Sequence, residues 1–167
     1  DMAFANGGEG SYSYYFVVTD LVPNPSACLG PIVYVEDQTA PNDPLTAVLS
    51  SPGDGETSND STPVISGTID AGDEGATIVA YRDSGCSDSV GSATVSSGAY
   101  SINGSLAVDG SHNGVNQFYL QTTDQAGNVS GCYDTGQSYT LSGGGLAALP
   151  KLAMVGADSP SYLISLE

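Results

Sequence analysis

Between Leu45 and Leu141, short runs of β-branched, aliphatic and tyrosine residues alternate with polar ones, and clusters of Gly, Pro, Asn, Asp and Ser break them up. That period of two is the signature of half-buried strands, and the clusters carry turn chemistry. The pattern predicts strands at Leu45–Ser50, Thr62–Ile69, Ala76–Arg82, Val90–Val95, Ala99–Asn103, Asn116–Thr123 and Tyr133–Leu141. Loops such as Ser51-Pro52-Gly53-Asp54-Gly55 and Asp124-Gln125-Ala126-Gly127-Asn128 separate them. Helical periodicity is nearly absent. The one helix-like stretch, Gly145–Leu149, is cut at once by Pro150, which cannot continue a helix.

The chain repeats itself. Tyr14-Tyr15-Phe16-Val17-Val18-Thr19-Asp20 resembles Phe118-Tyr119-Leu120-Gln121-Thr122-Thr123-Asp124, 104 residues later. The match runs on without a gap: Asn24 falls on Asn128, Ser26 on Ser130 and Cys28 on Cys132. After one inserted residue, Tyr34 meets Tyr139. Such self-similarity points to tandem units. Residues 1–37 are read as the C-terminal hairpin of a preceding repeat, 38–44 as a linker and 45–142 as a complete repeat. Two prolines, Pro41 and Pro44, stiffen the linker toward extended backbone. Seven short strands in about 100 residues is the count of an immunoglobulin-like β-sandwich. The fold class expected is therefore all-β, a sandwich in tandem repeat. Residues 143–167 have no assigned role: a Gly143-Gly144-Gly145 hinge precedes two strand-like runs, which would begin a further domain or add to a sheet edge of another chain.

Three ordered motifs carry a family resemblance. They are Asp37-Gln38-Thr39-Ala40-Pro41, then Asn59-Asp60-Ser61-Thr62-Pro63-Val64-Ile65-Ser66-Gly67-Thr68, then Thr123-Asp124-Gln125-Ala126-Gly127-Asn128. Taken together, residues 12–142 resemble the bacterial immunoglobulin-like repeats of large cell-surface adhesins. The resemblance implies a non-catalytic extracellular module, strung in tandem at the cell surface, that spaces or presents a binding region. Its partners would be neighbouring repeats of the same polypeptide, and a host or prey surface glycan or protein. Two other functions stay open: a ligand-binding tip domain, and an accessory domain of a secreted hydrolase. Strand exchange with another chain is a further expectation, because a lone hairpin at residues 11–36 is marginal in water.

Composition narrows the partners. Nineteen acids face two bases, Arg82 and Lys151, for a formal charge of −17, with His112 the single histidine. Phosphate clamping, nucleic-acid binding and attraction to anionic lipid all need clustered Lys or Arg, so they are excluded. No apolar run approaches the ~20 residues of a membrane helix. The start, Asp1-Met2-Ala3-Phe4-Ala5-Asn6, has neither a basic region nor a long apolar stretch, and the chain is read as an excised or mature piece of a larger secreted protein. Enzymatic activity is not expected. His112 sits in Asp109-Gly110-Ser111-His112-Asn113-Gly114; no nucleophile elbow accompanies it, and it is read as a solvated loop residue. With no tryptophan, a sugar-stacking cleft between paired carboxylates would depend on tyrosines that fall within strands and read as core. Lys151 lies beyond the sandwich, which removes the Lys–Asn isopeptide bond some adhesin domains form.

In a secreted chain, three cysteines call for pairing. Cys86 and Cys132 lie in the complete repeat, 46 residues apart, and are expected to form a disulfide. Cys28 corresponds to Cys132, so its partner is expected upstream. The competing reading is three reduced, buried thiols in a cytosolic protein. Calcium is the only cofactor in view, since it takes six to eight oxygens from Asp, Asn and carbonyl groups. The resemblance places acids of the linker, of the segment before the second strand and of the last hairpin at one domain end. By that analogy Asp37, Asp60 and Asp124 are the candidate ligands, with Asp43 and Asn128 nearby and Asp20 and Asn24 as the matching pair. The alternative is that these residues cap backbone N–H groups in Asx-turns and bind nothing.

Overall fold

The computed structural model describes residues 8–143 and contains only strands, turns and one short 3₁₀ turn. The strands are β1 (Gly10–Phe16), β2 (Leu29–Glu36), β3 (Thr46–Ser51), β4 (Thr57–Ser58), β5 (Val64–Thr68), β6 (Thr77–Tyr81), β7 (Ser89–Thr94), β8 (Ala99–Asn103), β9 (Gly114–Thr123) and β10 (Tyr133–Leu141). All seven expected strands form, with ends shifted by two residues at most. The addition is β4, which pairs parallel to the end of β10. Two residues are too few to show alternation.

From β3 onward, strands build two sheets. One has the order β4-β10-β9-β6-β7 and the other β3-β5-β8. The apolar positions of each strand face the other sheet: β9 buries Asn116, Phe118, Leu120 and Thr122 and exposes the residues between them more. One core results, with Phe118, Leu120, Ile78, Tyr139 and Leu141 from the larger sheet against Leu49, Ile65, Tyr100 and Ile102 from the smaller. The Phe118 and Tyr139 rings stack at 6.0 Å, within the range in which aromatic pairs attract. Tyr139 Oη donates to the Asp60 carbonyl at 2.8 Å, so its polar end is satisfied at the rim.

Close approach fixes one residue type. A Cβ on Gly67 would lie 1.9 Å from the Thr46 carbonyl oxygen and 2.5 Å from Tyr100 Oη. Only glycine allows β3 to pair with β5 while Tyr100 reaches over to hydrogen-bond Thr46 O at 2.8 Å.

The disulfide forms as expected: Cys86, in the β6–β7 loop, is bonded to Cys132, ahead of β10, with 5.9 Å between the Cα atoms. Asp83 organises that loop. Its carboxylate accepts from the N–H groups of Gly85, Ser87 and Asp88 at 3.1, 3.0 and 2.7 Å and from the Ser87 hydroxyl at 2.9 Å. Cys28 is exposed and outside any disulfide.

The first two strands form a separate two-stranded ribbon. Its pairing repeats the register of β9 and β10 on both sides of an irregularity in each ladder. Tyr12 opposes Tyr34 as Asn116 opposes Tyr139, Ser11 opposes Val35 as Val115 opposes Thr140, and Phe16 opposes Leu29 as Leu120 opposes Tyr133. The burial alternation has the same phase. The outcome differs in depth. Tyr139 is 1% exposed and its counterpart Tyr34 47%; Thr122 is 0% exposed and its counterpart Val18 71%.

Candidate functional site

The linker is held at both margins. Pro41 and Pro44 are buried, and Leu45 N donates to Thr68 O at 2.8 Å. The prolines thus do more than stiffen the backbone: they pack. Above them Asn128 Nδ2 donates to the Asp37 carbonyl at 3.1 Å, tying the β9–β10 turn to the end of the ribbon. Glu36 accepts from Tyr34 Oη at 2.6 Å and from Gln38 Nε2 at 3.0 Å. The Tyr34 and Gln38 bonds hold the Glu36 carboxyl below its usual range, and Glu36 in turn raises the Tyr34 phenol. Thr39 Oγ1 donates to Glu9 Oε2 at 2.6 Å. An open cleft of about 500 Å³ lies here, its lining including Glu9, Glu36, Asp37, Asp73 and Asp124 with no basic side chain.

The three candidate calcium ligands do not meet. Asp124 and Asp37 both lie at this joint, linked through Asn128. Asp60 lies at the opposite end of the sandwich, where its carbonyl receives Tyr139, the partner of Asn116 near the start of β9. Asp124 follows the end of β9, so roughly 25 Å of strand separates them. The oxygens are also engaged. Asp124 Oδ1 accepts from Asn128 N at 2.8 Å and Oδ2 from Asn128 Nδ2 at 2.9 Å. Asp60 Oδ1 accepts from Thr62 N at 2.8 Å, and Asp37 Oδ1 from Thr39 N at 3.0 Å. The Asp60 and Asp37 bonds are Asx-turns, in which the carboxylate replaces a backbone acceptor, whereas Asp124 clasps Asn128 four residues on. Among the described residues no group of three or more His, Cys, Asp or Glu is placed to hold a metal ion. As arranged, Asp37, Asp60 and Asp124 do not form one calcium site.

The same turn recurs in the ribbon. Asp20 N donates to Asn24 O at 3.3 Å as Asp124 N does to Asn128 O at 3.0 Å. Ser26 N donates to Val18 O at 2.7 Å as Ser130 N does to Thr122 O at 2.9 Å. Val18 N donates to Ser26 Oγ, and Thr122 N to Ser130 Oγ, at 3.0 and 2.9 Å. Asn24 N and Asn128 N reach Asp20 Oδ1 and Asp124 Oδ1 at 3.1 and 2.8 Å. The Leu21-Val22-Pro23 sequence therefore closes the same turn as Gln125-Ala126-Gly127. Hydrogen bonds to Asn24 lower the Asp20 carboxyl, as those to Asn128 lower Asp124.

The groups that might have suggested catalysis have other tasks. His112 is half-buried, and its Nδ1 accepts from Ala107 N at 2.9 Å, which corrects its reading as a solvated loop residue. Asp109, its acidic neighbour, accepts instead from Ser111 N and Oγ. Arg82 donates from Nε to Asn116 Oδ1 at 2.7 Å and pairs with Asp88 at 3.0 Å. Buried Asn116 passes its own N–H groups to the His112 and Gly114 carbonyls at 3.1 and 2.9 Å. Tyr100 and Tyr139 are core residues, as expected. Lys151 and the two strand-like runs after Gly145 lie outside the described residues.

The Arg82–Asn116–His112 network was not legible in the sequence. An asparagine at the buried phase of β9, in line with Phe118, Leu120 and Thr122, was its one signal. No family model matches the chain, and no curated protein matches it either.

Proposed function

We propose that this chain is a non-catalytic, extracellular immunoglobulin-like module of a bacterial surface adhesin or fibre, which spaces or presents a binding region borne elsewhere. The carrying observation is the ribbon, whose strand register and turn hydrogen bonds repeat those of β9 and β10. In strand letters, β3, β5 and β8 take the places of A, B and E, and β6, β7, β9 and β10 those of C, C′, F and G. That order supports the immunoglobulin-like reading, and the ribbon then stands as the F–G pair of a preceding unit. The buried prolines and the Asn128–Asp37 bond give the joint a defined geometry suited to a spacer. The disulfide is compatible with an oxidising exterior. A charge of −17 keeps such modules soluble and apart.

The test is the coding sequence on either side, together with a glycan array and a pull-down from host-surface protein. Further units of the same strand pattern, and no retained ligand, are expected. A hydrolase domain alongside, or a glycan held at micromolar affinity by loops at one sandwich end, would replace the reading with one of its alternatives.

A further inference from the structure

The inner face of the ribbon carries Phe16, Val18, Leu29 and Ile32 beside Tyr12, Tyr14 and Tyr34. Leu29, Ile32, Tyr34 and Val18 are each about half exposed or more. An apolar sheet face of this breadth marks an interaction surface, and two strands alone do not make a stable sheet.

What covers such a face is visible in the other half of the molecule. The counterparts Phe118, Leu120, Thr122 and Tyr139 are covered by Leu49, Ile65, Tyr100 and Ile102 of the smaller sheet. The edge of β9 away from β10 is occupied by β6, from Thr77↔Thr123 to Tyr81↔Tyr119. By the same register, the edge formed by the end of β1 and the residues after it, from Tyr15 to Thr19, is where a β6-like strand would pair. A thiol supplies a second, separate observation. Cys28 is exposed at the position where Cys132 bonds to Cys86 of the β6–β7 loop.

We propose that the ribbon's inner face docks the open half of a sandwich of this chain's own kind, meaning strands equivalent to β3–β8. That half would add a β6-like strand to β1, cover Tyr14 and Phe16 with an aliphatic sheet, and present a cysteine to Cys28. Closing the bridge oxidises two thiols to one disulfide, with release of two protons and two electrons to an external acceptor such as oxidised glutathione. The proposal rests on the tandem-module reading and gives it a specific complementary surface.

The test places a copy of residues 38–113 directly before Gly10, the counterpart of Gly114, in the otherwise complete chain. This fusion holds four cysteines: Cys28, Cys86, Cys132 and the copied Cys86. After equilibration in a glutathione buffer, thiol titration in denaturant is expected to find no free thiol. Peptide mass spectrometry should show Cys28 joined to the copied cysteine, and amide exchange across β1 and β2 should slow at least tenfold relative to the unfused chain. Tyr14→Asp with Phe16→Asp, on the inner face, should leave two free thiols; Tyr15→Asp, on the outer face, should leave none. Two free thiols in the unsubstituted fusion, or unchanged exchange in the ribbon, would overturn the proposal. So would a dimer of the unfused chain at micromolar concentration that Tyr14→Asp dissolves, because a second copy would then be the occupant. A fusion that closes while the chain retains a glycan would sink the spacer function and leave the docking surface standing. A fusion that stays open beside a blank ligand screen would do the reverse.

Discussion

Removing the Cys86–Cys132 bridge tests how the sandwich is held. The bond joins the β6–β7 loop to the strand that follows the β9–β10 turn, closing a loop of 46 residues. In the chain-entropy model, a loop of that length restricts the unfolded ensemble by about 4 kcal/mol at 25 °C. For a unit of about 100 residues each kcal/mol moves the melting midpoint by roughly 4–8 °C, so Cys86→Ser with Cys132→Ser should lower it by roughly 15–30 °C. Replacing both cysteines avoids a stray thiol. The β6–β9 pairing and the Asp83-centred turn do not involve the sulfur atoms, so the native fold should survive at low temperature. The assay is urea unfolding by circular dichroism at 25 °C: a lower midpoint is expected. A loss below about 1 kcal/mol would refute loop closure as the source, because even a 15-residue loop is worth about 3 kcal/mol in that model.

Gly67→Ala should cost about 3 kcal/mol in urea unfolding, since a methyl 1.9 Å from Thr46 O forces β3 and β5 apart; a neutral result would contradict the close approach. Phe118→Ala should cost about 3–5 kcal/mol, because its ring is fully buried, whereas Tyr14→Ala at the matching ribbon position should leave the sandwich's unfolding unchanged. Hydrogen bonds hold the carboxyls of Asp83, Asp60, Asp109 and Asp124 below their usual range: chiefly the Asp88 N–H, the Thr62 hydroxyl, the Ser111 hydroxyl and the Asn128 amide respectively. A depressed folded value means that the stability is present above the unfolded value near 3.8 and is lost as pH falls through the folded values. Thermal midpoints should therefore drop below pH 4, and Asp83→Asn should flatten that slope; an unaltered slope would show that the turn bonds do not contribute. Burial pushes the Tyr139 phenol up to about 12 from 10.0, so its contribution holds below pH 10 and fades toward 12. Absorbance titration should show this tyrosinate appearing late and together with unfolding. Because the Asp37, Asp60 and Asp124 carboxylates are engaged in turns, calcium and chelator should give the same melting midpoint; a rise with calcium would show that these turns open to take the ion.

Local physics accounts for what the sequence disclosed. Alternation along β9 and β10 fixes which side chains point inward, because the period of a strand is two. Gly, Pro, Asn and Asp mark chain reversals through their own backbone chemistry, so the strand limits were legible to within two residues. The Cys86–Cys132 pair was legible because both lie in the strand-rich stretch from Leu45 to Leu141, and the ribbon because its residues resemble those 104 positions on. Long-range placement was not. Asp37, Asp60 and Asp124 look interchangeable as acids beside turns, but β9 runs from the end bearing Asp60 to the end bearing Asp124. Strand direction in the folded sheet, which no local pattern encodes, decided that they part. Tertiary structure likewise buried Pro41 and Pro44, and spent Arg82 on the buried Asn116 and the His112 ring on the Ala107 N–H. Each depends on which backbone groups folding leaves unsatisfied, and those are known only once distant strands have paired.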